Sequence, residues 1–539
     1  MSFTRREFMK VGATAAAVAV LPRPLAPSRS NPLLVQLGRH PEPVPPIDDP
    51  RLRDLVARGL ESARGEGAAY ADVRLTHTRR RFFDTGTVRD AEDMVAGARA
   101  LVDGYWGFAS GPVWSPDEMA RLGREASAQA KTNALGKRRV AELAPVPPVP
   151  DGHWAMPVEI DPFEVPPTEI LDHLMGLLLF AERTPGVSVV GDNCTVQVQE
   201  KAFGSTVPSY YTQRTYRTSG EFAIRVVHDE RQGTGAVDCL TPAGLGWELY
   251  RGQPLRERIA RLIADVKADL ELPVKPVDVG RYDAVFDART VANLLAETLG
   301  RATELDRALG YEANAGGTSY LNDPFGMLGG HQAGAPLLSV FGNRSEPGGA
   351  ATVRWDDEGV APDDFPLVQD GVLVDFQTTR ESAGWLKDYY AKRGVPLRSH
   401  GCASAPSAVE APLQRAPNLT MTPGRDAVDF DGLLTGMARG IAVAGATIAM
   451  DFQRLNGMGM GRVYEIRNGK RVAIIGGAGL LFRAPELWKA MLALGGKASL
   501  RRYGMMSRKG EPAQEHTSSV TAPPAAFRQI TVVDPLRKA

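Results

Sequence analysis

The side chains best suited to metal or nucleophilic chemistry are sparse in this sequence of 539 residues. Three cysteines, Cys194, Cys239 and Cys402, are too few for a disulfide framework and lack the spacing of a metal-binding finger. None of the eight histidines lies near another at the spacing that places two ligands on one face of a helix. These histidines are His40, His77, His153, His173, His228, His331, His400 and His516. Residue types and spacing alone therefore predict no metal site.

Glu297 is the carboxylate with the clearest structural context, because it lies in a segment with helical periodicity. The apolar face of this predicted helix, over residues 290–301, consists of Val291, Leu294, Leu295, Thr298 and Leu299. Glu297 and Arg301 occupy positions i and i+4 on this helix, which is the spacing of an intrahelical ion pair. The pattern therefore predicts an ion pair between them.

Two residues could serve as nucleophiles, but neither has an evident base beside it. Ser507 is followed by Arg508 and Lys509, which supply positive charge but cannot accept its proton. Cys402 lies two residues after His400, although near neighbours on a loop seldom pair productively. We therefore expect Ser507 and Cys402 to be chemically inert.

The overall composition excludes some classes of function. Lys and Arg number 63, as do Asp and Glu, so the formal net charge is zero. This balance disfavours a nucleic-acid-binding protein, which usually needs a concentrated basic surface. Hydrophobic residues make up 43% of the chain, which is enough for several cores and excludes a wholly disordered chain. No segment is apolar enough to predict a transmembrane helix.

The N-terminus has the pattern of an export signal. Arg5 and Arg6 are followed by Phe8 and Lys10, and then by an apolar run over residues 11–21 that is too short to span a bilayer. This order of residues is typical of the twin-arginine pathway, whose cargo crosses the membrane already folded. We therefore predict an exported protein located in the periplasm or otherwise outside the cytoplasm.

Hydrophobic periodicity and turn residues predict an α+β protein, with a mixed α/β N-terminal region followed by a strand-rich, mainly antiparallel C-terminal domain. An Asp103-Gly104 turn predicts a hairpin, and Ser115 is the predicted N-cap of a helix over residues 115–130. Further helices are predicted over residues 168–183, 254–268 and 485–494. The predicted units are a signal at 1–30, a linker at 31–50, an N-terminal α/β domain at 51–142, a middle α/β domain at 143–273 and a β-rich domain at 274–539.

Several separated segments resemble the TldD/PmbA metallopeptidase family, and they occur in the family's order. The longest is AETLGRATELDRALGYEAN at 296–314. The others are YADVR at 70–74, LVDGYWGFA at 101–109, DDEGV at 356–360, DGVL at 370–373, TRE at 379–381, QRLN at 453–456 and YEIRNGK at 464–470. The resemblance therefore extends from about residue 51 to the C-terminus, and it implies a peptidase fold.

The same resemblance implies a zinc site built from an HExxxH motif on a helix and a cysteine near the C-terminus. In this sequence Ala296 and Arg301 occupy the two histidine positions, and only Glu297 remains as the vestigial or retained general base. Ser507 occupies the cysteine position, or Met506 if the register shifts by one. A methyl group cannot donate a lone pair, a guanidinium repels cations, and a neutral serine hydroxyl is a poor zinc ligand. We therefore expect no zinc and no other cofactor.

Two hypotheses follow from this comparison. The first is a non-catalytic subunit that binds peptides or stabilises a homologous TldD/PmbA-family partner, as a heterodimer or homodimer. The alternative is an active metallopeptidase with non-standard zinc ligands, in which His400 or His516 approaches the site in space.

Overall fold

The structure is a computed structural model that describes residues 44–136 and 140–535. The predicted signal at 1–30, residues 31–43 of the predicted linker and His40 lie outside the described residues. None of the helices in the described ranges combines the length and apolar character that a transmembrane span requires.

The helices are short to medium in length and are numbered here in chain order. They are α1 Arg51–Gly65, α2 Pro116–Ala134, α3 Pro167–Glu182, α4 Glu248–Arg251, α5 Leu255–Glu271, α6 Ala288–Leu295, α7 Leu305–Ala308, α8 Pro324–Met327, α9 Arg380–Gly384, α10 Lys387–Lys392, α11 Phe430–Thr435 and α12 Ala484–Lys489. A π-helical turn, Ala296–Gly300, continues α6, and a 3₁₀ turn covers Lys497–Ser499.

The longest strands, of 15 to 20 residues, lie in the N-terminal half. The strands are β1 Tyr70–Asp84, β2 Thr87–Val102, β3 Tyr105–Gly111, β4 Gly152–Ala155, β5 Val187–Ser205, β6 Ser209–His228, β7 Arg231–Ala236, β8 Val274–Lys275, β9 Gly280–Phe286, β10 Val340–Asn343, β11 Phe365–Gln369, β12 Val372–Leu373, β13 Ala403–Ser404, β14 Leu413–Gln414, β15 Asn418–Met421, β16 Arg439–Met450, β17 Asn456–Arg467, β18 Lys470–Ile475, β19 Gly479–Arg483, β20 Met491–Leu494, β21 Arg501–Lys509, β22 Gln514–Ala522 and β23 Ala525–Val533.

One sheet dominates the N-terminal half. Its strand order is β3-β2-β1-β5-β6-β4, and β7 pairs with β6. The apolar faces of α1 and α2 pack together with β1 and β2 around Leu52 and Met119. A second core forms where α3 and α5 pack around the buried Trp247. Strands on both sides of residue 143 thus share one sheet, so the predicted boundary there falls within a continuous sheet.

The C-terminal half contains two larger sheets with α6 buried among their core residues. One sheet has the order β12-β11-β10-β15-β22-β21, and the other has the order β16-β9-β23-β19-β17-β18-β8, with β20 paired to β23. Val291 and Leu295 of α6 share a core with Val443 of β16 and Val520 of β22. The predicted α+β architecture is therefore confirmed, and α6 is held by packing on both sides.

Local sequence signals located several elements correctly. Asp103 and Gly104 both have positive φ angles, 51° and 78°, as the predicted two-residue hairpin between β2 and β3 requires. The Ser115 side chain accepts a hydrogen bond from the Glu118 amide at 3.2 Å, which is the predicted N-cap. The predicted helix over 485–494 is wrong beyond Lys489, because Met491–Leu494 pairs with β23 as a strand.

Buried ion pairs join the N-terminal sheet to the DDE segment at 356–358. Lys201 of β5 forms an ion pair with Asp357, and Arg99 of β2 bridges Asp72 at 2.6 Å and Glu358 at 3.3 Å. Burial acts to raise the pKa of Asp357, but the charges of Lys201 and Arg74, together with hydrogen bonds from Lys201 and the Ala405 amide, lower that pKa overall. This part of the family-like sequence therefore has a structural role at the junction of the two halves.

Candidate functional site

The π-helical turn after α6 brings the two implied histidine positions to one cavity. Asp287 caps α6 by accepting a hydrogen bond from the Thr290 amide at 2.8 Å. Residues five apart in an α-helix point about 140° away from each other. The wider turn at Ala296–Gly300 reduces this angle, and both Ala296 and Arg301 line the same cavity. Such π turns are frequent at functional sites.

The cavity has a volume of about 200 Å³ and lies between the π-helical turn and the β21–β22 hairpin. Ser507 and Met505 face it from β21, and Ser518 faces it from β22 directly opposite Met505. Glu297 lines the opposite wall. The structure therefore brings together the residues at the implied metal-site positions, which are Ala296, Glu297, Arg301 and Ser507, with Met506 as the alternative to Ser507.

Two arginines hold the Glu297 carboxylate. Arg301 donates to Oε1 at 2.9 Å, which is the ion pair predicted from the i,i+4 spacing. Arg454 donates to Oε2 at 3.0 Å from a loop more than 150 residues further along the chain. The side chains are largely withdrawn from water, with exposed fractions of 25% for Glu297 and 16% for each arginine. Both carboxylate oxygens are therefore engaged by cations.

The β16–β17 loop positions Arg454. The Asp451 side chain accepts hydrogen bonds from the amide of Leu455 at 2.8 Å and from the side chain of Asn456 at 2.6 Å. Arg454 has a φ of 57°, a left-handed conformation that this tight loop imposes. Burial and the neighbouring Arg301 lower the pKa of Arg454 to about 10, so it remains charged at neutral pH. Sequence reasoning missed this role, although the QRLN segment contains the residue.

A second buried ionic network adjoins the cavity through Glu304. Lys509 of β21 donates to Glu304 at 3.0 Å and to Asp306 at 2.7 Å, and Arg307 donates to Glu304 at 2.9 Å. Burial acts to raise the pKa of Glu304, but Lys509 and Arg307 lower it strongly. Glu304 is therefore fully committed to these cations and is unsuited to proton transfer.

His516 lies opposite Ser507 in the β21–β22 register, yet it does not activate that serine. Its Nε2 donates to the Ala416 carbonyl at 2.8 Å, since a carbonyl can only accept. Burial, together with the charge of Arg415, moves the pKa of His516 well below its usual value. Ser507 therefore has a neutral, hydrogen-bonded histidine as its cross-strand neighbour.

His400 belongs to a separate buried cluster. Its Nδ1 contacts Asp363 at 2.9 Å and its Nε2 contacts Asp375 at 3.2 Å, while its ring stacks on Phe365 with centroids 3.9 Å apart. Both ring nitrogens are occupied by carboxylates, so neither is available to activate Cys402. Burial raises the pKa of the Cys402 thiol to about 12, which keeps it protonated.

The donor chemistry of the cavity does not fit a zinc ion. Zinc needs imidazole, thiolate or carboxylate donors, whereas the three implied ligand positions offer a methyl group, a guanidinium and a hydroxyl. Two carboxylates line the cavity, and each is held by two cations: Glu297 by Arg301 and Arg454, and Glu304 by Arg307 and Lys509. Within residues 44–136 and 140–535, no group of three or more His, Cys, Asp or Glu side chains is arranged to hold a metal. The absence of zinc remains a prediction, tested below.

Comparison with known proteins shows that this chain is similar to metallopeptidases. Residues 279–534 match the family model of the PmbA/TldA metallopeptidase C-terminal domain. The chain is 22% identical to Metalloprotease MJ0996 of Methanocaldococcus jannaschii, over 76% of this chain and 86% of that protein. It is 25% identical to a metalloprotease of Methanothermobacter thermautotrophicus, over 70% of this chain and 76% of that protein.

Solved structures share the fold over most of the chain. TM0727 of Thermotoga maritima superposes with a TM-score of 0.66 at 16% identity, covering 89% of this chain and all of that one. TldE of Thermococcus kodakarensis superposes with a TM-score of 0.63 at 14% identity, covering 89% and 99%. The C-terminal domain, residues 279–534, thus matches the TldD/PmbA family, and most of the chain shares the fold of the solved structures. These matches support the family membership that the sequence motifs predicted.

Proposed function

We propose that this chain is an exported TldD/PmbA-family protein that lacks zinc catalysis and acts in proteolysis as a non-catalytic partner or peptide-binding subunit. The observation that carries the proposal is the ion-pair triad Arg301–Glu297–Arg454. It lies where the family resemblance implies the metal and its general base.

The triad opposes both parts of zinc hydrolysis. Two guanidinium groups beside the cavity remain charged at neutral pH and repel a divalent cation. A general base must also be free to turn toward the water it activates. The arginines at 2.9 Å and 3.0 Å fix the orientation of the Glu297 carboxylate, so it is better suited to holding the loop than to moving a proton.

Metal analysis tests this proposal directly. We expect wild-type protein, purified without chelator and dialysed against zinc, to retain far less than one zinc per chain. A variant with Ala296→His, Arg301→His and Ser507→Cys restores the donor set and is expected to retain more zinc than wild type. It is the positive control for the assay.

Stoichiometric zinc in the wild-type protein, lost on His400→Asn or His516→Asn substitution, would establish the alternative of an active metallopeptidase with non-standard ligands. Stoichiometric zinc that survives both substitutions would equally contradict the proposal, because it would reveal ligands other than these histidines.

The partner role rests on two exposed apolar side chains, one lining the cavity and one in the loop that carries Arg454. Met506, beside Ser507, is 50% exposed, and Phe452, in the same loop as Arg454, is 48% exposed. Apolar side chains exposed at a cavity mouth are typical of surfaces that bind a peptide or another protein. We therefore propose a homologous family member, or a second copy of this chain, as the partner.

Co-expression tests the association. We expect this chain to co-purify in a defined ratio with a homologue that carries an intact HExxxH, or to form a homodimer, as measured by light scattering. Substituting Met506 and Phe452 with Ser should weaken the complex, whereas Val395→Ser, at an exposed site that does not line the cavity, should not. A chain that stays monomeric with every homologue tested would contradict the partner role.

Export is the remaining part of the proposal and rests on the sequence of residues 4–21. A fusion of these residues to a reporter that folds in the cytoplasm should be exported, and Arg5→Lys with Arg6→Lys should abolish export. Unchanged export of that variant would contradict the twin-arginine assignment.

A further inference from the structure

A small polar cavity of about 20 Å³ lies where the N-terminal sheet meets the DDE segment. Its charged lining comes from both halves of the chain: Lys201 and Arg217 from β5 and β6, and Arg344, Asp356 and Asp357 from the C-terminal half. A cavity needs roughly 10–15 Å³ to hold one water molecule, so this one has room for a single water-sized or halide-sized occupant. It shares no lining residue with the cavity around Glu297.

Two arginines at this cavity have no carboxylate partner. Arg344, which is 2% exposed, donates to three backbone carbonyls, each at 3.0 Å. Arg217 donates through Nε to the Ala350 carbonyl at 3.0 Å. Within residues 44–136 and 140–535, neither arginine forms an ion pair, and Nη2 of Arg344 and both terminal nitrogens of Arg217 have no hydrogen-bond partner. Donor groups with full positive charge therefore remain available beside the cavity.

The two guanidinium groups also repel each other. The pKa of Arg217 falls to about 10, first because of burial and then because of the charge of Arg344. Both groups remain charged at neutral pH. A charge withdrawn from water is costly unless an opposite charge compensates it, and neutral carbonyls compensate only in part. This pair of cations therefore favours a negatively charged neighbour.

The carboxylates at the cavity do not supply that neighbour. Asp357 is already paired with Lys201, and its second oxygen accepts a hydrogen bond from the Ala405 amide at 2.8 Å. Asp356 accepts hydrogen bonds from three backbone amides at 2.9–3.1 Å. Burial and the charge of Glu358 raise the pKa of Asp356 to about 7, so it is only partly ionised at neutral pH. Three cations thus face two carboxylates that carry less than two charges, and the lining is net positive.

We propose that this cavity binds one monovalent anion of halide size, such as chloride. The anion accepts hydrogen bonds from the free guanidinium nitrogens of Arg217 and Arg344 and offsets their mutual repulsion. Because Arg217 belongs to β6 and Arg344 follows β10, the bound ion links the N-terminal sheet to the C-terminal half. A larger anion does not fit the volume.

Denaturation in urea at constant ionic strength, with gluconate replacing chloride, tests the proposal. For one ion bound with a Kd of about 50 mM, the ratio of folded to unfolded wild-type chain should rise about tenfold between about 5 and 500 mM chloride. Bromide should act like chloride. Arg217→Met should abolish the dependence, whereas Arg225→Met, at an exposed arginine of the same strand, should retain it.

Crystals of the wild-type chain grown in bromide provide a second measurement that needs no variant. We expect one anomalous peak in the cavity between Arg217 and Arg344. Stability independent of chloride, a dependence that Arg217→Met retains, or bromide bound only at the protein surface would overturn the inference. A water molecule in the cavity at high bromide concentration would do the same. These outcomes are independent of the zinc, partner and export tests.

Discussion

Glu297 is the centre of an ion-pair triad, in which Arg301 and Arg454 each donate to one carboxylate oxygen. We predict that Arg454→Met destabilises the protein by about 1–3 kcal/mol, because it removes a charged hydrogen bond from a largely buried carboxylate. The measurement is urea denaturation. In a double-mutant cycle, Glu297→Gln with Arg454→Met should cost less than the sum of the single variants. Arg508→Met, which breaks an exposed ion pair with Glu515, is the matched control and should cost at most about 1 kcal/mol. Additive effects in the cycle would contradict the triad.

The sequence predicts only part of this triad. Glu297 and Arg301 are predictable, because the i,i+4 spacing alone places them side by side. Arg454 is not, because it approaches from a loop more than 150 residues away and no local pattern specifies that contact.

Among the elements, those with strong local signals were predicted and those fixed by distant pairing were not. The β2–β3 hairpin follows from its Asp-Gly turn and α2 from its Ser-Pro start. The π-helical turn has no sequence signature, because the same residues could continue an α-helix. Met491–Leu494 is a strand because it forms hydrogen bonds with β23. An apolar run of four residues is too short for its periodicity to distinguish a strand from a helix.

The segment containing His400 should give the protein a pH-dependent stability. Burial acts to lower the pKa of His400, but Asp363 and Asp375 outweigh it and raise that pKa to about 9. The value in the unfolded chain is about 6.5. The contribution is therefore fully present below about pH 6.5 and is lost as pH rises through about 9.

The free energy of unfolding, measured in urea between pH 6 and pH 9.5, should fall more steeply for wild type than for His400→Asn. His228→Asn, at an exposed histidine, should retain the wild-type profile. Parallel profiles for wild type and His400→Asn would show that the charged imidazole contributes nothing.

For the whole molecule, the sequence predicted the fold class and the family, but not how the two halves join. In the sequence, the DDE segment at 356–358 indicated only a resemblance to the family and predicted no contact. In the structure it supplies the carboxylates for Lys201 and Arg99 of the N-terminal sheet. Contacts between residues more than 150 positions apart depend on the packing of complete sheets, which composition and periodicity do not encode.

Lys201→Met should destabilise the protein by about 3–5 kcal/mol, because it leaves the Asp357 carboxylate buried without its cation. Adding Asp357→Leu should recover part of this loss, since no unpaired charge then remains. Lys131→Met, which breaks an exposed pair with Glu66, is the control and should cost less than about 1 kcal/mol. A loss below about 1 kcal/mol for Lys201→Met in guanidinium denaturation would refute this account of the junction.

The Asp451-stabilised loop between β16 and β17 also bears on the history of the site. If the ancestral chain bound zinc, restoring its three ligands by reversion would still leave the Arg454 guanidinium 3.0 Å from Glu297. Hydrolysis would then require a fourth change, at a position that is not itself a ligand. The loop therefore makes this change difficult to reverse. Variants that regained only the three zinc ligands would still have Glu297 paired with Arg454, and they would gain no hydrolytic activity until Arg454 was also replaced.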